Sequence, residues 1–515
     1  MIQPEAPLAR RARVAPALAA LLLPLAGSGL ASAQDPGADP GQERVLELTL
    51  EDALRIALEN NLDLELEVLI TEISRYDFLG SWGAFDPIYS LSGTLSETDR
   101  EAESSLVGTE FSTQRFDTSI AFPLTTGGLF DVTYSRDNLE TDAPFAAFDV
   151  STTDIVTVAL TQPLLRGAWK RFATSDQREA GIDLARQEAR LKEVRHRVLL
   201  DVYIAYWDLV AAVEELGVRE FALELGGQQL EQNRRRLEVG VGTEVDVLQA
   251  ETNMAQQEED RLRAEFNLRA AEDVLRTLIF QRREGDILDE ARVWDWPVIA
   301  LTPLPEVPEA VGLEWLPSLD RALRHRPELE QQRLEIDASE VRLVRASSLR
   351  LPGLDLTVSA TGRGFDTQPT DAFDEAVAFD FPTYTGTLSF DVPLRNRSAR
   401  NAELAARTAV RTARIGYEQI ELAVLAGVRS AVRDVFFASE AVQAAETSRD
   451  FARRQLEAEQ ARYGEGLSTT FQVLEFQRDL AEALSTLTTV HGSYAKAVAG
   501  LKHAEGLLGT EPPGE

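Results

Sequence analysis

The sequence predicts an α+β membrane protein built from two similar halves, each of which joins β-strands to a very long helical hairpin. Three observations support this fold class: an amino-terminal leader typical of export, segments in which polar and apolar residues alternate, and a helical pattern that recurs 226 residues later. Alternation with a period of two indicates strands, and apolar residues spaced seven apart indicate coiled-coil helices.

Composition excludes several classes of function. The chain has 515 residues, 85 acidic against 52 basic side chains, a net charge of −33 and no cysteine. Such a charge repels phosphate backbones, so nucleic acid is not expected as a partner. Without cysteine there are no disulfides, thiolate metal sites, thiol nucleophiles or lipid-modified amino-terminal cysteine. The four histidines lack the spacing of a helical metal site, and we expect neither a cofactor nor an enzyme.

The leader predicts where the protein goes. Three arginines between positions 10 and 13 precede an apolar run, 14–30, which ends in Ala31-Ser32-Ala33. This arrangement is typical of a secretory signal peptide, 1–33, cleaved after Ala33. The alternative is a membrane anchor, but the run is barely long enough to span a bilayer and is interrupted by Pro16, Pro24, Gly27 and Gly29.

A duplication organises the rest of the chain. The segments 236–248 and 462–474 share Arg, Gly, Thr, Val and Leu at equivalent positions, and the offset is 226 residues. An unbroken heptad series precedes the first segment, and only one residue breaks its counterpart before the second. A heptad sustained over several turns predicts a coiled coil. The two series are Val202, Leu209, Leu216, Leu223, Leu230 and Leu237, and then Val428, Val435, Val442, Arg449, Leu456 and Tyr463.

Each half has the same predicted order of elements. A helix of about 30 residues comes first (50–79 and 318–350), then a β-rich stretch (85–165 and 353–394), then a helical hairpin (168–282 and 397–507). The helix predicted over 168–238 would be about 105 Å long. The connector 283–317 is rich in proline and predicted to be irregular. The domains are therefore a signal peptide (1–33), a first repeat (34–312), a second repeat (313–508) and a tail (509–515).

The β-rich stretches are typical of membrane strands. Alternating segments lie at 86–97, 115–124, 129–136, 154–164, 353–362 and 384–394, which is the length that a tilted barrel strand requires. A tight turn, Thr125–Gly128, joins two of them, whereas the connections 98–112, 138–152 and 364–383 are long and polar. A soluble sandwich would show the same alternation. Six strands cannot close around a pore alone, so either interpretation requires partners or a second sheet.

The duplicated halves, the Val239-Gly240 and Glu465-Gly466 turns and the segment Gln162-Pro163-Leu164-Leu165 resemble the TolC-like outer-membrane efflux proteins. The resemblance covers roughly residues 45–508. It implies a homotrimer in which one transmembrane β-barrel continues into a long periplasmic α-helical barrel of coiled coils. It further implies a passive export duct of an efflux pump or a type I secretion system, gated at its periplasmic tip. The implied partners are a periplasmic adaptor (membrane fusion) protein, an inner-membrane transporter and outer-membrane lipid.

The resemblance also implies functional residues. Asp246 and Tyr463 match a pair that holds the closed tip, and the family's acidic entrance ring falls at Gln472 and Glu475. The basic partner of that lock falls at Ser468, a departure from the family pattern. Solvated helix flanks are the alternative for Asp246 and Glu475, and ordinary helix caps are the alternative for the glycines. The implied adaptor-docking tip comprises Val239, Gly240, Val241, Gly242 and Thr243, with Glu465, Gly466, Leu467, Ser468 and Thr469.

Two other interpretations were weighed. Gly240-Val241-Gly242 is not a phosphate loop, because it lies between two helices and lacks the lysine of such loops. A structural or adhesive envelope protein, with the coiled coil as a spacer and no conduction, remains the alternative function. Such a spacer would need neither a duplicated glycine turn nor two hairpins of matched length.

Overall fold

The computed structural model describes residues 45–99, 101, 108–143, 146–281, 294–308, 312 and 314–509. The predicted signal peptide lies outside these residues. In the first half, the helices are α1 (Leu50–Asn60), α2 (Leu62–Ser81), α3 (Lys170–Ala173), α4 (Ser175–Glu238) and α5 (Glu244–Ile279), and the strands are β1 (Leu46–Leu48), β2 (Ile88–Asp99), β3 (Glu110–Pro123), β4 (Leu129–Thr141) and β5 (Val150–Pro163). In the second half they are β6 (Val298–Ala300), α6 (Leu316–His325), α7 (Pro327–Leu349), β7 (Gly353–Asp366), α8 (Pro369–Ala378), β8 (Pro382–Asp391), α9 (Arg397–Gly464) and α10 (Thr470–Ala504).

The six predicted membrane-type strands are confirmed as strands of one antiparallel sheet. Their order is β2-β3-β4-β5-β7-β8, so the two halves join where β5 pairs with β7. The hairpin around Thr125–Gly128 belongs to this sheet, because β3 pairs with β4 from Phe111–Thr141 to Pro123–Leu129. The tight turn lies at the end of the sheet that leads into the long helices, and the long connections lie at the opposite end.

The sheet has one polar and one apolar face. In β7, the residues Asp355, Thr357, Ser359 and Thr361 alternate with Leu354, Leu356, Val358 and Ala360. Cross-strand hydroxyl pairs lie on the polar face, with 3.2 Å between the Oγ1 atoms of Thr157 and Thr361 and also between those of Thr161 and Thr357. The apolar face carries large exposed side chains, among them Tyr89, Leu91, Tyr384, Leu388 and Phe390.

The connection 364–383, predicted to be a polar loop, contains the helix α8, so that prediction is wrong. Pro369 occupies the first turn of α8, where its missing N–H is tolerated. Ala372 and Ala376 are fully buried against β7. The backbone of the helix approaches β7 at Gly362 and Gly364, where a Cβ atom would overlap carbonyl oxygens of the helix. Tertiary contact therefore makes a helix of a segment whose composition reads as a loop.

The long helices follow the predicted heptads. α4 has 64 residues and α9 has 68, which corresponds to about 100 Å each at about 1.5 Å per residue. Half of the heptad positions of the first series and all but Arg449 of the second are buried, with Val202, Leu209, Val428 and Val442 at 1% exposure or less. Four helices, α4, α5, α9 and α10, pack side by side as two hairpins, because α4 contacts both α5 and α10.

Three predicted boundaries are wrong, each for a local reason. The long helix predicted from 168 cannot begin there, because Gly167 and Trp169 have φ of 80° and 72°. It begins at Ser175, after Thr174 (φ −101°, ψ 21°) ends the short helix α3. The helix predicted over 50–79 is two helices, since Asn61 ends α1 and caps α2 with a hydrogen bond from Leu64 N. The helix predicted over 318–350 is interrupted by Pro327, whose preceding residue is extended.

The two halves also meet beside the long helices. β1 pairs in parallel with β6, which lies in the connector that was predicted to be irregular. The largest apolar cluster lies next to this pair and centres on Tyr206, whose hydroxyl donates to the carbonyl oxygen of Leu48 at 3.1 Å. No helix among the described residues is long and apolar enough to cross a bilayer.

Candidate functional site at the tip of the helical hairpins

The two hairpin turns have the same backbone geometry. Gly240 and Gly466 have φ of 77° and 74°. The N–H of Gly240 donates to Leu237 O at 3.0 Å, and the N–H of Gly466 donates to Tyr463 O at 3.1 Å. The N–H of Val241 donates to Arg236 O, and the N–H of Leu467 donates to Arg462 O, both at 2.9 Å. The glycines therefore act as left-handed helix caps, and the sequence repeat is also a repeat of structure.

A threonine begins the return helix in each copy. Thr243 Oγ1 accepts from Asp246 N at 3.2 Å, and Thr469 Oγ1 accepts from Gln472 N at 3.4 Å. The Asp246 carboxylate closes a capping box by accepting from the Thr243 N–H at 3.0 Å and the hydroxyl at 2.6 Å. The hydrogen bond from the Thr243 hydroxyl lowers the pKa of Asp246. Asp246 and Gln472 thus occupy equivalent positions of the two copies.

Buried polar contacts join the two hairpins at Tyr463. Its hydroxyl donates to Asn233 Oδ1 at 2.8 Å and lies 3.1 Å from Thr470 Oγ1. The Arg236 guanidinium lies 4.5 Å from the centre of the tyrosine ring and donates to Tyr463 O at 3.1 Å. Asn233 Nδ2 donates to Asp246 O at 2.9 Å. Asp246 and Tyr463 are therefore brought together through Asn233.

Asn233, Arg236 and Thr470 were missed from the sequence, although a signal for Asn233 was present. Asn233 lies between Leu230 and Leu237 at the three-and-four spacing of a coiled-coil core, where a polar residue specifies register. It is almost completely buried and also accepts from Gln229 Nε2 at 2.8 Å.

The second copy has a different polar centre at the position equivalent to Asn233. This residue is Glu459, also buried, and its carboxylate accepts from Ser468 Oγ and from Arg462, the latter at 3.2 Å. Ser468 Oγ also lies 3.0 Å from Gln472 Oε1. Ser468 is therefore part of a polar cluster with Glu459, Arg462 and Gln472 within its own hairpin.

The remaining predicted residues lie on the surface of the tip. Val239, Val241 and Leu467 are 73%, 66% and 70% exposed, so each turn presents apolar side chains beyond its glycine. Glu475 is partly exposed and pairs with Arg478 at 2.8 Å, so its charge is partly compensated. Among the described residues, no group of His, Asp and Glu has the arrangement of a metal site.

Comparison with known proteins agrees with this architecture. A family model described as "Outer membrane efflux protein" matches residues 130–279 and 318–507. Outer membrane protein TolC of Vibrio cholerae is 24% identical over 352 residues, which are 67% of this chain and 74% of that protein. Proteases secretion protein PrtF of Dickeya chrysanthemi is 28% identical over 208 residues, 40% of this chain and 42% of that protein.

The fold is also similar to solved structures. The outer-membrane channel OprN superposes with a TM-score of 0.65 at 16% identity, and the match covers 89% of each chain. The family model and the structural match both span the two halves. The chain therefore belongs to the outer membrane efflux protein family, whose members are export channels of the outer membrane.

Proposed function

We propose that three copies of the chain form one exit duct, with a shared transmembrane β-barrel above a periplasmic barrel of long helices. The open edges of the six-stranded sheet carry this proposal. Within the part of the chain that the structure describes, β2 and β8 have no partner on their outer sides, and all their residues are exposed. Unpaired backbone groups are costly in lipid, so β2 of one copy is expected to pair with β8 of the next. Head-to-tail pairing of this kind closes a ring.

The number of strands sets the width of the barrel. Six strands from each of three copies give eighteen. With strands about 4.8 Å apart and tilted about 40°, such a barrel is about 35 Å across between backbones. The usual family member that the sequence resembles supplies four strands per copy, which would give about 24 Å by the same arithmetic. The hairpin β3–β4 therefore widens the duct.

The faces of the sheet fit this assembly. The threonine and serine face would line a water-filled lumen, and the face with exposed Tyr384, Leu388 and Phe390 would contact lipid. Arg115 and Asp117 form an ion pair at 3.0 Å on the polar face. We take the cargo to pass without chemical change, through a passive duct coupled to a periplasmic adaptor and an inner-membrane transporter.

Single-channel recording tests the duct. The full chain, extracted in detergent, should have the mass of a trimer and produce large, stable conductance steps in planar bilayers. A chain that stays monomeric and does not conduct would exclude the duct and favour the coiled-coil spacer. Polymers of graded size measure the width of the conducting pore. If the pore of the trimer has the size limit of a twelve-stranded barrel, β3–β4 does not widen the duct.

We further propose that the tip is both the gate and the adaptor-docking surface. Tyr463 and Asn233 would hold the two hairpins together in the closed state, because their hydrogen bond crosses from one hairpin to the other. Three copies of Glu475 would form an acidic constriction that favours cations, weakened by the pairing with Arg478. Glu475→Gln should reduce cation preference in the recordings, whereas Glu482→Gln, farther along the same helix, should not. Equal effects of the two changes would contradict the constriction.

The exposed apolar turns favour docking at the same place. Gly240→Trp and Gly466→Trp should reduce cross-linking to the adaptor, because a bulky side chain would stand where a partner approaches a bare turn. Gly240→Ala separates backbone strain from bulk, and Gly227→Trp controls for bulk on the same helix, where a side chain has open space. If the Trp variants cross-link and export like the wild-type chain, the adaptor does not dock on these turns.

A further inference from the structure

The helix α8 lies on the apolar face of the sheet, near the end away from the long helices. Its close approach to β7 is at Gly362 and Gly364, which belong to the same face as Leu356 and Val358. The adjacent strand β8 exposes large apolar side chains on that face. A helix on this face stands outside the wall of a barrel, and therefore does not plug its lumen.

A charged cluster lies beneath the amino-terminal end of α8. Asp154, fully buried, accepts from Arg136 Nε at 2.8 Å and from a terminal nitrogen of Arg136 at 2.7 Å. The Tyr134 hydroxyl also donates to Asp154, at 2.9 Å. Arg136 in turn donates to Pro369 O at 2.9 Å, which ties the helix to the pair. A buried carboxylate is tolerated only when it is paired and hydrogen-bonded, and α8 adds a backbone acceptor for the arginine that pairs with Asp154.

The helix α8 runs along β7, because Ala372 O lies over Gly364 and Ala376 O lies over Gly362. Its amino-terminal end is therefore nearer the loop end of the sheet, and its carboxyl-terminal end is nearer the long helices. One edge of α8 is apolar: Phe373 packs edge-on against Tyr134, with ring centres 5.6 Å apart. Val377 follows Phe373 by one helical turn, and both are more than a third exposed. The other edge is acidic and carries Asp371 and Glu375, whose Oε2 accepts from Phe365 N at 3.3 Å. Val377 therefore lies nearer the apolar band than Asp371 does.

The height of the helix matches the upper limit of a membrane band. Gly362 is nine residues beyond Gly353, the first residue of β7. At about 3.3 Å per residue and a tilt of about 40°, this places Gly362 about 23 Å above the start of the strand. The apolar band of an outer-membrane barrel is about 25 Å tall. Tyr384, at the level of Ala360, adds an exposed aromatic ring at this height.

We propose that α8 is a membrane-surface helix, with Phe373 and Val377 in the acyl chains of the outer leaflet and its acidic edge in water. The partner is lipid, since the apolar edge is continuous with the apolar face of the sheet, where Phe373 packs on Tyr134. This inference rests on the proposed function, because it takes that face to be in contact with lipid. It adds that a connection between strands, rather than a strand, marks the upper boundary of the bilayer on this protein.

The absence of cysteine makes a site-directed labelling test direct. Val377→Cys, Asp371→Cys and Leu388→Cys each introduce a single thiol for a nitroxide label, in trimers reconstituted into phospholipid vesicles. The labels at 377 and 388 should collide several-fold more often with dissolved oxygen than with a water-soluble nickel chelate. The label at 371, on the opposite edge of α8 and nearer the loop end of the sheet, should show the reverse preference.

The outcomes separate the two proposals. A label at 377 that prefers the nickel chelate, while the label at 388 prefers oxygen, would overturn the membrane-surface helix and leave the duct standing. A label at 388 that prefers the nickel chelate would overturn both, because the apolar face would then not contact lipid. In the Val377→Cys background, Gly364→Val should displace α8 and abolish the oxygen preference at 377. Gly386→Val, at an open position of the same face, should leave it unchanged; equal effects of the two would overturn the inference.

Discussion

Tyr463→Phe is the most selective perturbation of the tip, because it removes one hydroxyl and keeps the ring. The lost contacts are the hydrogen bond to Asn233 at 2.8 Å and the one shared with Thr470 at 3.1 Å. The stacking of Arg236 on the ring, at 4.5 Å, should remain. Both lost contacts are buried, and the one to Asn233 crosses between hairpins, so the change should specifically weaken the association of the two hairpins.

The expected size follows from the partners that remain. A typical hydrogen bond contributes about 1 kcal/mol net, and a buried group left without a partner costs more. Asn233 Oδ1 keeps its bond from Gln229 at 2.8 Å, so no acceptor is fully orphaned there. We therefore expect the variant to lower the free energy of local opening at the tip by about 2 kcal/mol per copy, which corresponds to roughly a thirtyfold shift in the opening equilibrium.

Hydrogen–deuterium exchange of the tip measures this shift. Amides in 229–247 and 459–475 should exchange roughly thirtyfold faster in the variant, whereas amides around Tyr206 should not change. Tyr494→Phe is the matched control, since Tyr494 is also buried and its hydroxyl makes no hydrogen bond within the described part of the chain. Unchanged exchange at the tip, or an equal effect of the control, would refute the reasoning.

Three further changes test the caps and the titrating groups. Gly466→Ala should destabilise the turn by about 1 kcal/mol because of the positive φ of Gly466. Gly464→Ala, at the last residue of α9, should instead stabilise the helix by up to about 1 kcal/mol. Melting temperatures that move in the same direction for both variants would contradict the role of Gly466 as a cap. The hydrogen bond from the Thr243 hydroxyl lowers the pKa of Asp246. The stability that this cap gives to the first turn of α5 should therefore persist above pH 4 and be lost as the pH falls through the lowered pKa. Hydrogen–deuterium exchange of that turn measures the loss, and in Asp246→Asn the exchange should not show this pH dependence. Burial lowers the pKa of His503 to about 4, so the folded state binds fewer protons than the unfolded state between pH 6.5 and 4. Stability should therefore fall as pH drops through that window, and a melting temperature with the same pH dependence in His503→Gln would exclude His503 as the cause.

Much of the fold could be predicted because its elements are long and strictly periodic. The heptads of α4 and α9 repeat over many turns, and the strand alternation reports directly which face is polar. The boundaries at Asn61 and Pro327 were missed because each interrupts a pattern that continues on both sides. α8 was missed for a different reason: it is short and acidic, and the close approach at Gly362 and Gly364 that holds it lies in a different element.

The tip was predictable in its backbone and less so in its chemistry. The repeated glycine and threonine located both turns, since their roles as caps depend on local geometry alone. Asn233, Arg236 and Thr470 were not found, because their contacts with Tyr463 bring together residues more than two hundred positions apart or on opposite sides of a turn. The gating and docking roles of the tip remain predictions for the variants above.

The equivalence of the two turns has a consequence for how such a protein diverges after duplication. Glycine and threonine specify the path of the chain in both copies, the glycine through backbone hydrogen bonds and the threonine through its hydroxyl, which caps the return helix. The side chains on either side of the turn are therefore free to change without loss of its shape. Asn233 and Glu459 occupy one equivalent position, and Asp246 and Gln472 another, with different charges. A single inherited shape thus serves as two chemically distinct sites, and either one can evolve towards a new partner while the other keeps its present role.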